Sequence, residues 1–299
     1  MSTAHARPTK TTHRSRRAHA GPIDHRDETD MTDITMKDQQ LGPVPPRLDV
    51  AGLSKTYGSG PGAKTVIEDL TFTVETGEIV CIVGPSGVGK TTLLKCLAGL
   101  HPVSSGAAAI DGRPIDGPPA EMALVFQDYN RSLMPWLTVR KNVRLPLRHL
   151  RLPAVELNQR IDTALEAVGL TQAAAQYPWQ LSGGMQQRVA IARALAYRPE
   201  ILIMDEPFAS VDAQTRFELE DLCLKIRDDF GMTILVVTHD IDEAVYLSDR
   251  VVVLGAKPAR VLDVVDINLP SPRDQISSRA LNGFAEQRTK VLSMIRKPA

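Results

Sequence analysis

Apolar residues in this chain fall into short runs of two kinds, separated by polar stretches that carry glycine or proline. Leu48-Asp49-Val50-Ala51-Gly52-Leu53 alternates apolar and polar positions, as a half-exposed strand does, and residues 65–74 repeat the pattern. Short apolar runs predict strands buried on both faces: residues 78–83, 123–126, 201–206, which ends in two carboxylates, 233–238 and 251–254. Residues 107–110 before the Asp111-Gly112 turn, and residues 260–265, predict two further strands. Helical spacing appears over residues 92–98, ended by Gly99 and Pro102, and in Val155, Leu157, Ile161, Leu165 and Val168, ended by Gly169. It returns in residues 187–195, in Phe217, Leu219, Leu222 and Ile226, and from about residue 277 to 295. Buried strands with helices between them predict an α/β fold with a parallel sheet.

Three stretches depart from this alternation. Pro135, Pro146, Pro153 and Pro178 break residues 128–180 into short, mostly helical pieces, which predict a helical insertion between two strands of the core. Residues 1–46 show no apolar periodicity, and Arg7, Lys10, Arg14, Arg16 and Arg17 precede the first acid, Asp24. Lacking an apolar h-region, this segment is no secretory signal. A solvated, disordered tail is expected rather than a basic arm for lipid or nucleic acid, and Met31 and Met36 leave a later start open. Residues 266–299, with Pro270 and Pro272, read as an appended C-terminal segment.

Composition changes this picture little. A chain of 299 residues can bury a sizeable core, and 35 basic against 35 acidic residues give no charge argument for nucleic acid or an anionic membrane. No run approaches the roughly 18 apolar residues a membrane-spanning helix needs. Cys81, Cys96 and Cys223 lie far apart in apolar segments, which suits a reducing cytoplasm better than a disulfide framework.

Candidate chemistry sits where strands end. Gly84-Pro85-Ser86-Gly87-Val88-Gly89-Lys90-Thr91 joins the strand at 78–83 to a helix, which is the phosphate-binding loop in its proper context. Its glycines let successive N–H groups point at phosphate oxygens, Lys90 adds a cation, and the Thr91 hydroxyl suits magnesium. Gln127 leaves a second strand, Asp205 and Glu206 end a third, and His239 ends a fourth. Ligands of doubly wound sheets bind at such carboxyl ends. Asp205 fits the acid that holds magnesium, which frees Glu206 to polarise water. Ser182 caps a helix that starts with Gly183 and Gly184, whose bare N–H groups suit an anion. Tyr57, ahead of the loop, can stack on a base or serve packing alone.

Together these motifs resemble the ATP-binding cassette subunit of a membrane transporter, over residues of about 47–265. Residues 84–91 are similar to its Walker A loop, 181–186 to the signature motif, and 201–206 to Walker B with its catalytic glutamate. Gln127 is similar to the Q-loop, 210–212 to the D-loop, His239 to the switch histidine and Tyr57 to the base-stacking aromatic. Residues 134–139, 204–208, 238–247 and 269–274 further resemble the nitrate/sulfonate/taurine branch of importers. Ser210-Val211-Asp212 departs from the usual Ala-Leu-Asp, and Trp179 stands where His is frequent.

The resemblance implies a P-loop (RecA-like) parallel-sheet core, an N-terminal antiparallel β subdomain and an inserted α-helical subdomain at about residues 128–184. It implies ATP and magnesium as cofactors, with Thr91, Gln127 and Asp205 on the metal and Glu206, His239 and Gln127 catalytic. Pro85, Ser86, Val88 and Thr92 would join the other loop residues on the nucleotide. Ser182, Gly183, Gly184 and Asp212 would serve the ATP of a second copy. The implied partners are that second cassette, membrane permease subunits and, indirectly, a solute-binding protein, at the cytoplasmic face of the membrane. An export or lipoprotein-release cassette shares every catalytic motif and stays beside the importer reading. DNA-maintenance cassettes need long heptad segments and translation-factor cassettes carry two motif sets, and this chain has neither.

Overall fold

The computed structural model describes residues 45–296 apart from Ala256. The tail expected over residues 1–46 therefore lies outside the described residues, except for Pro45 and Pro46. The first strands are β1 (Leu48–Tyr57), β2 (Lys64–Val74) and β3 (Ile79–Val83), followed by helix α1 (Lys90–Leu97). Next come β4 (Ser105–Ile110), β5 (Arg113–Pro114) and β6 (Met122–Val125), then α2 (Tyr129–Ser132), α3 (Val139–Arg144), α4 (Ala154–Ala167) and α5 (Gly183–Ala196). The chain continues through β7 (Ile201–Asp205), α6 (Ala213–Phe230), β8 (Thr233–Val237), α7 (Ile241–Leu247), β9 (Arg250–Gly255), β10 (Arg260–Asp266) and α8 (Asn282–Arg296).

Two sheets result. The first is four-stranded and antiparallel, in the order β2-β1-β4-β5. Its β4–β5 connection turns through Asp111 and Gly112 at φ 47° and 74°, the left-handed pair that a tight hairpin requires. The second is six-stranded, in the order β10-β9-β3-β8-β7-β6, parallel except for the antiparallel edge strand β10. The two are joined where Ala259 pairs with β2, donating to the Val66 carbonyl at 2.8 Å and accepting from the Glu68 amide at 2.9 Å.

The unbroken apolar runs serve two cores at once. Alternate residues of β3 point opposite ways: Ile79, Cys81 and Val83 face the helices, and Val80 and Ile82 face α1 and the antiparallel sheet. β7 and β8 divide in the same manner, which is why no polar position interrupts them. All three cysteines are free and buried.

The helical region packs α3 and α4 on α5. Its entry is pinned by the buried side chain of Asn142. That amide donates to the carbonyls of Met134, Leu137 and Thr138 at 3.0–3.1 Å and accepts from the Met134 amide at 2.8 Å. The Asn142 clamp thereby holds Trp136 on a fixed, exposed turn.

The C-terminal segment is packed rather than appended in the loose sense. Phe284 and Val291 of α8 join the helix-side core, and the Arg279 guanidinium lies 4.9–5.7 Å from the rings of Phe217, Tyr246 and Phe284. The helix expected from about residue 277 begins at Asn282. Asp274 draws the preceding residues into turns by accepting from the amides of Ile276 and Ser277. Arg279 reaches across to the buried Glu220 at 2.7 Å.

Candidate active site

The sheet order places the ends of β3, β8, β7 and β6 side by side, and each carries a residue singled out above. Leaving β3, the chain turns through residues 84–89 into α1. Gly87 and Gly89 take φ 72° and 125°, which side-chain-bearing residues rarely adopt. A Cβ on Gly84 would stand 2.7 Å from the Leu254 carbonyl oxygen, so only glycine lets the loop pass β9. The Val88 side chain is buried in the core, and its amide donates to the Pro85 carbonyl at 3.3 Å. Beside the loop opens a cavity of about 270 Å³ lined by Ser86, Gly87, Lys90, Thr91, Thr92 and Glu206, with Val66 and Gly89.

Three charged groups meet there at low exposure. Lys90 is buried, and its Nζ donates to the carbonyls of Gly84 and Pro85 at 2.8 and 3.3 Å. Burial lowers its pKa, against the pull of Glu206 and Asp205. Burial likewise pushes the Asp205 carboxyl above the usual carboxylate range, and a hydrogen bond with Thr91 draws it partway back. Glu206 leaves β7 at φ 44°, left-handed for a residue with a side chain, and is held by its amide donating to the Val237 carbonyl at 2.8 Å. That turn aims its carboxylate across the strand ends. One oxygen, Oε2, accepts from Gln127 Nε2 at 2.9 Å and lies 3.3 Å from His239 Nδ1.

Behind His239 stands a network absent from the sequence reading. Asp240 caps α7 by accepting from the amides of Asp242 and Glu243, and the Thr238 hydroxyl donates to Glu243. Arg216 of α6 reaches Asp240 at 3.3 Å and Glu243 at 3.6 Å. Burial pushes the Glu243 carboxyl up to about 7. The signal in the sequence was the acid pair three residues apart after a strand end, the capping-box spacing.

The remaining residues stand in other company. Tyr57 ends β1 with its hydroxyl 2.8 Å from His101 Nδ1 and Lys55 Nζ 4.9 Å from its ring. Ser182 caps α5 by accepting from the Met185 amide at 3.3 Å. A Cβ on Gly184 would meet Thr215 Cγ2 at 2.2 Å, so the start of α5 packs directly on the start of α6. Asp212 caps α6, with Oδ1 accepting from the Thr215 amide and Oδ2 from the Thr215 hydroxyl at 3.0 and 2.7 Å. Those bonds hold its carboxyl below the usual range.

A parallel sheet whose strand ends gather a phosphate loop, a buried acid and a glutamate tied to glutamine and histidine defines a P-loop nucleotide hydrolase. Comparison narrows the class. A family model described as ABC transporter matches residues 67–209. The aliphatic sulfonates import ATP-binding protein of Bacillus licheniformis is 45% identical over 245 residues, covering 82% of this chain and 92% of that protein. The nitrate import ATP-binding protein of Synechococcus elongatus is 43% identical over 246 residues, covering 81% and 89%. Among solved structures, a dimeric post-hydrolysis ATP-binding cassette bound to ADP and Pi is 32% identical with a TM-score of 0.65, covering 74% of this chain and 99% of that one. The chain belongs to the ABC transporter ATP-binding proteins, which bind and hydrolyse ATP. The expected P-loop core with its antiparallel sheet and helices is the cassette fold these proteins share.

Proposed function

We propose that this chain is the ATP-hydrolysing subunit of a membrane importer for a small solute such as nitrate, a sulfonate or taurine. The observation that carries the reading is the meeting of Gln127, Glu206 and His239 at one carboxylate oxygen beside the phosphate loop. Similarity to sulfonate and nitrate import subunits over more than four-fifths of both chains supports the importer class.

In this mechanism the loop amides and Lys90 bind and neutralise the phosphates, Thr92 joins them from the cavity wall, and the Tyr57 ring would stack on the base. Glu206 takes the proton of the attacking water, Gln127 and His239 orient its carboxylate, and His239 faces the γ-phosphate. Placing the groups accounts for most of such catalysis. The Thr91 hydroxyl, the Asp205 carboxylate and the Gln127 amide oxygen make the oxygen set that magnesium takes alongside phosphates. The burial of Asp205 and the engagement of Gln127 by its nitrogen alone both fit that assignment. When bound, the ion supplies further charge neutralisation at the phosphates.

Two copies would sandwich two ATP, with Ser182, Gly183, Gly184 and Asp212 of one copy serving the loop of the other. A capped helix start with free N–H groups supports this, as does the dimeric state of a matched cassette. The helical region bearing Trp136 would dock permease subunits, placing the protein at the cytoplasmic face of the membrane. Among the described residues no helix is long and apolar enough to cross a membrane, so attachment would run through those subunits.

The test is the association state of Glu206→Gln with saturating ATP and magnesium. The trans arrangement expects a trapped dimer by light scattering; a persistent monomer would sink it. Co-purification with permease subunits that work alongside a solute-binding protein tests the importer reading separately.

A further inference from the structure

Residues 257–259, between β9 and β10, belong to none of the motifs read above, yet they lie against the phosphate loop. Leu254 presses its carbonyl on Gly84, and a Cβ on Gly89 would stand 3.6 Å from Ala259 Cβ. Ala259 is tied by backbone hydrogen bonds to Val66 and Glu68, and Val66 is itself a wall of the phosphate cavity. The turn therefore belongs to the same rigid corner as the nucleotide cavity. At its tip Lys257 extends toward the loop, with Nζ 3.8 Å from the point a Cβ would occupy on Gly87.

Gly87 is the middle glycine of the loop, its amide among those that turn toward phosphate oxygens. A phosphate oxygen accepting from that amide at about 2.9 Å lies within roughly 9 Å of the ammonium. That is comparable to the Debye length at physiological salt, about 8 Å, and well inside the roughly 30 Å at 0.01 M. Lys257 is exposed, and among the described residues it forms no ion pair; the acid on β2 beside this corner, Glu68, pairs instead with Arg260 at 3.0 Å. An uncompensated cation beside a polyphosphate cavity has one obvious electrostatic partner.

We propose that Lys257 is a second phosphate-facing cation of the nucleotide site, supplementing Lys90 from beside Gly87. It acts on binding and retention of the phosphates, through space, and is not part of the hydrolytic group around Glu206. The inference rests on nucleotide occupying residues 84–91.

The experiment measures equilibrium binding of a fluorescent ATP analogue in EDTA, which prevents turnover, for the wild-type chain and for Lys257→Ala, Lys257→Arg, Lys257→Glu and Lys90→Ala. At low salt Lys257→Ala is expected to weaken binding about 3–5-fold, the upper end of what one exposed charge contributes. Lys257→Glu should weaken it further, and Lys257→Arg should retain the wild-type value within about twofold. The Lys257→Ala loss should shrink below about twofold at high salt, because the interaction is screened. Unchanged melting temperatures check that the variants are folded, as expected for a surface turn. Wild-type affinity in both Lys257→Ala and Lys257→Glu, beside a weakened Lys90→Ala, would overturn the role of Lys257 alone. Wild-type affinity in Lys90→Ala as well would overturn the loop reading on which it stands. A Lys257→Ala loss that persists undiminished at high salt would also overturn it, since the residue would then act through packing.

Discussion

The strand-end cluster and the start of α5 are both built from motif residues, yet they differ in how their contacts close. At the strand ends, Lys90, Gln127, the Asp205–Glu206 pair and His239 come from four separate segments and find one another, with Lys90 and Asp205 buried. Buried charge is costly unless matched, so this cluster is complementary to itself and to a charged ligand. At the start of α5 there is a local cap, Ser182 to Met185, and one apolar contact with the next helix, Gly184 on Thr215, with no charge matched to charge. Nearby in sequence, Trp179 is 70% exposed and stacks on Tyr177, and Trp136 in the helical region is also 70% exposed. These exposed aromatics are the surface that the proposed docking would cover. One region is assembled by its own chain; the other is shaped and left facing outward.

The largest test of that contrast is chemical. Glu206→Gln is expected to lower ATP hydrolysis by about 10²–10⁴, while leaving the fold intact. A loss below tenfold in a steady-state phosphate-release assay would mean that the cluster around its Oε2 is not the hydrolytic centre. Next in size, Gly184→Ala forces a methyl group onto Thr215 and should cost about 1–3 kcal/mol in urea denaturation. It should also lower ATPase, because α5 and α6 carry Ser182 and Asp212. Undiminished stability would show that the two helix starts are free to part.

A third prediction concerns pH. The folded-state pKa of Glu243 is raised to about 7 by burial, well above the value of an unfolded glutamate near 4.5. Its contribution to stability is therefore full below about pH 4.5 and is lost as pH rises through about 7. Glu243→Gln should flatten the decline in melting temperature between pH 5 and 7, an effect on the order of 1–2 kcal/mol. An unaltered slope would show that Glu243 is not the group responsible. The smallest effect on the isolated chain is expected from Trp136→Ala, within about 0.5 kcal/mol of wild-type stability and with normal basal ATPase. Its consequence should appear only in the assembled transporter, as ATP hydrolysis uncoupled from uptake. Coupling that survives the change would remove Trp136 from the docking surface.

Much of the nucleotide site was written in local pattern. Residues 84–91 could be read because a phosphate loop needs particular glycines at particular spacings, and Gly87 and Gly89 do take the left-handed values. The buried strands could be read because a strand covered on both faces tolerates no polar interruption, as the division of residues 79–83 between two cores shows. Periodicity and steric limits act over a few residues, so they leave their mark on the chain itself.

Contacts between distant segments leave no such mark. Nothing in the residues alone told that the Glu206 backbone would turn left-handed, or that Gln127 and His239 would share its oxygen. Nor did they show that Thr215 would close on Gly184, that Arg216 would brace Asp240 and Glu243, or that Lys257 would lean on Gly87. Such meetings follow from strand order, in which β3, β8, β7 and β6 lie side by side although their sequence is interleaved with helices. Local sequence settled which chemical groups are present and which elements carry them. Which groups face one another depended on how those elements pack, because the burial that drives packing is non-directional and records no partner in the chain.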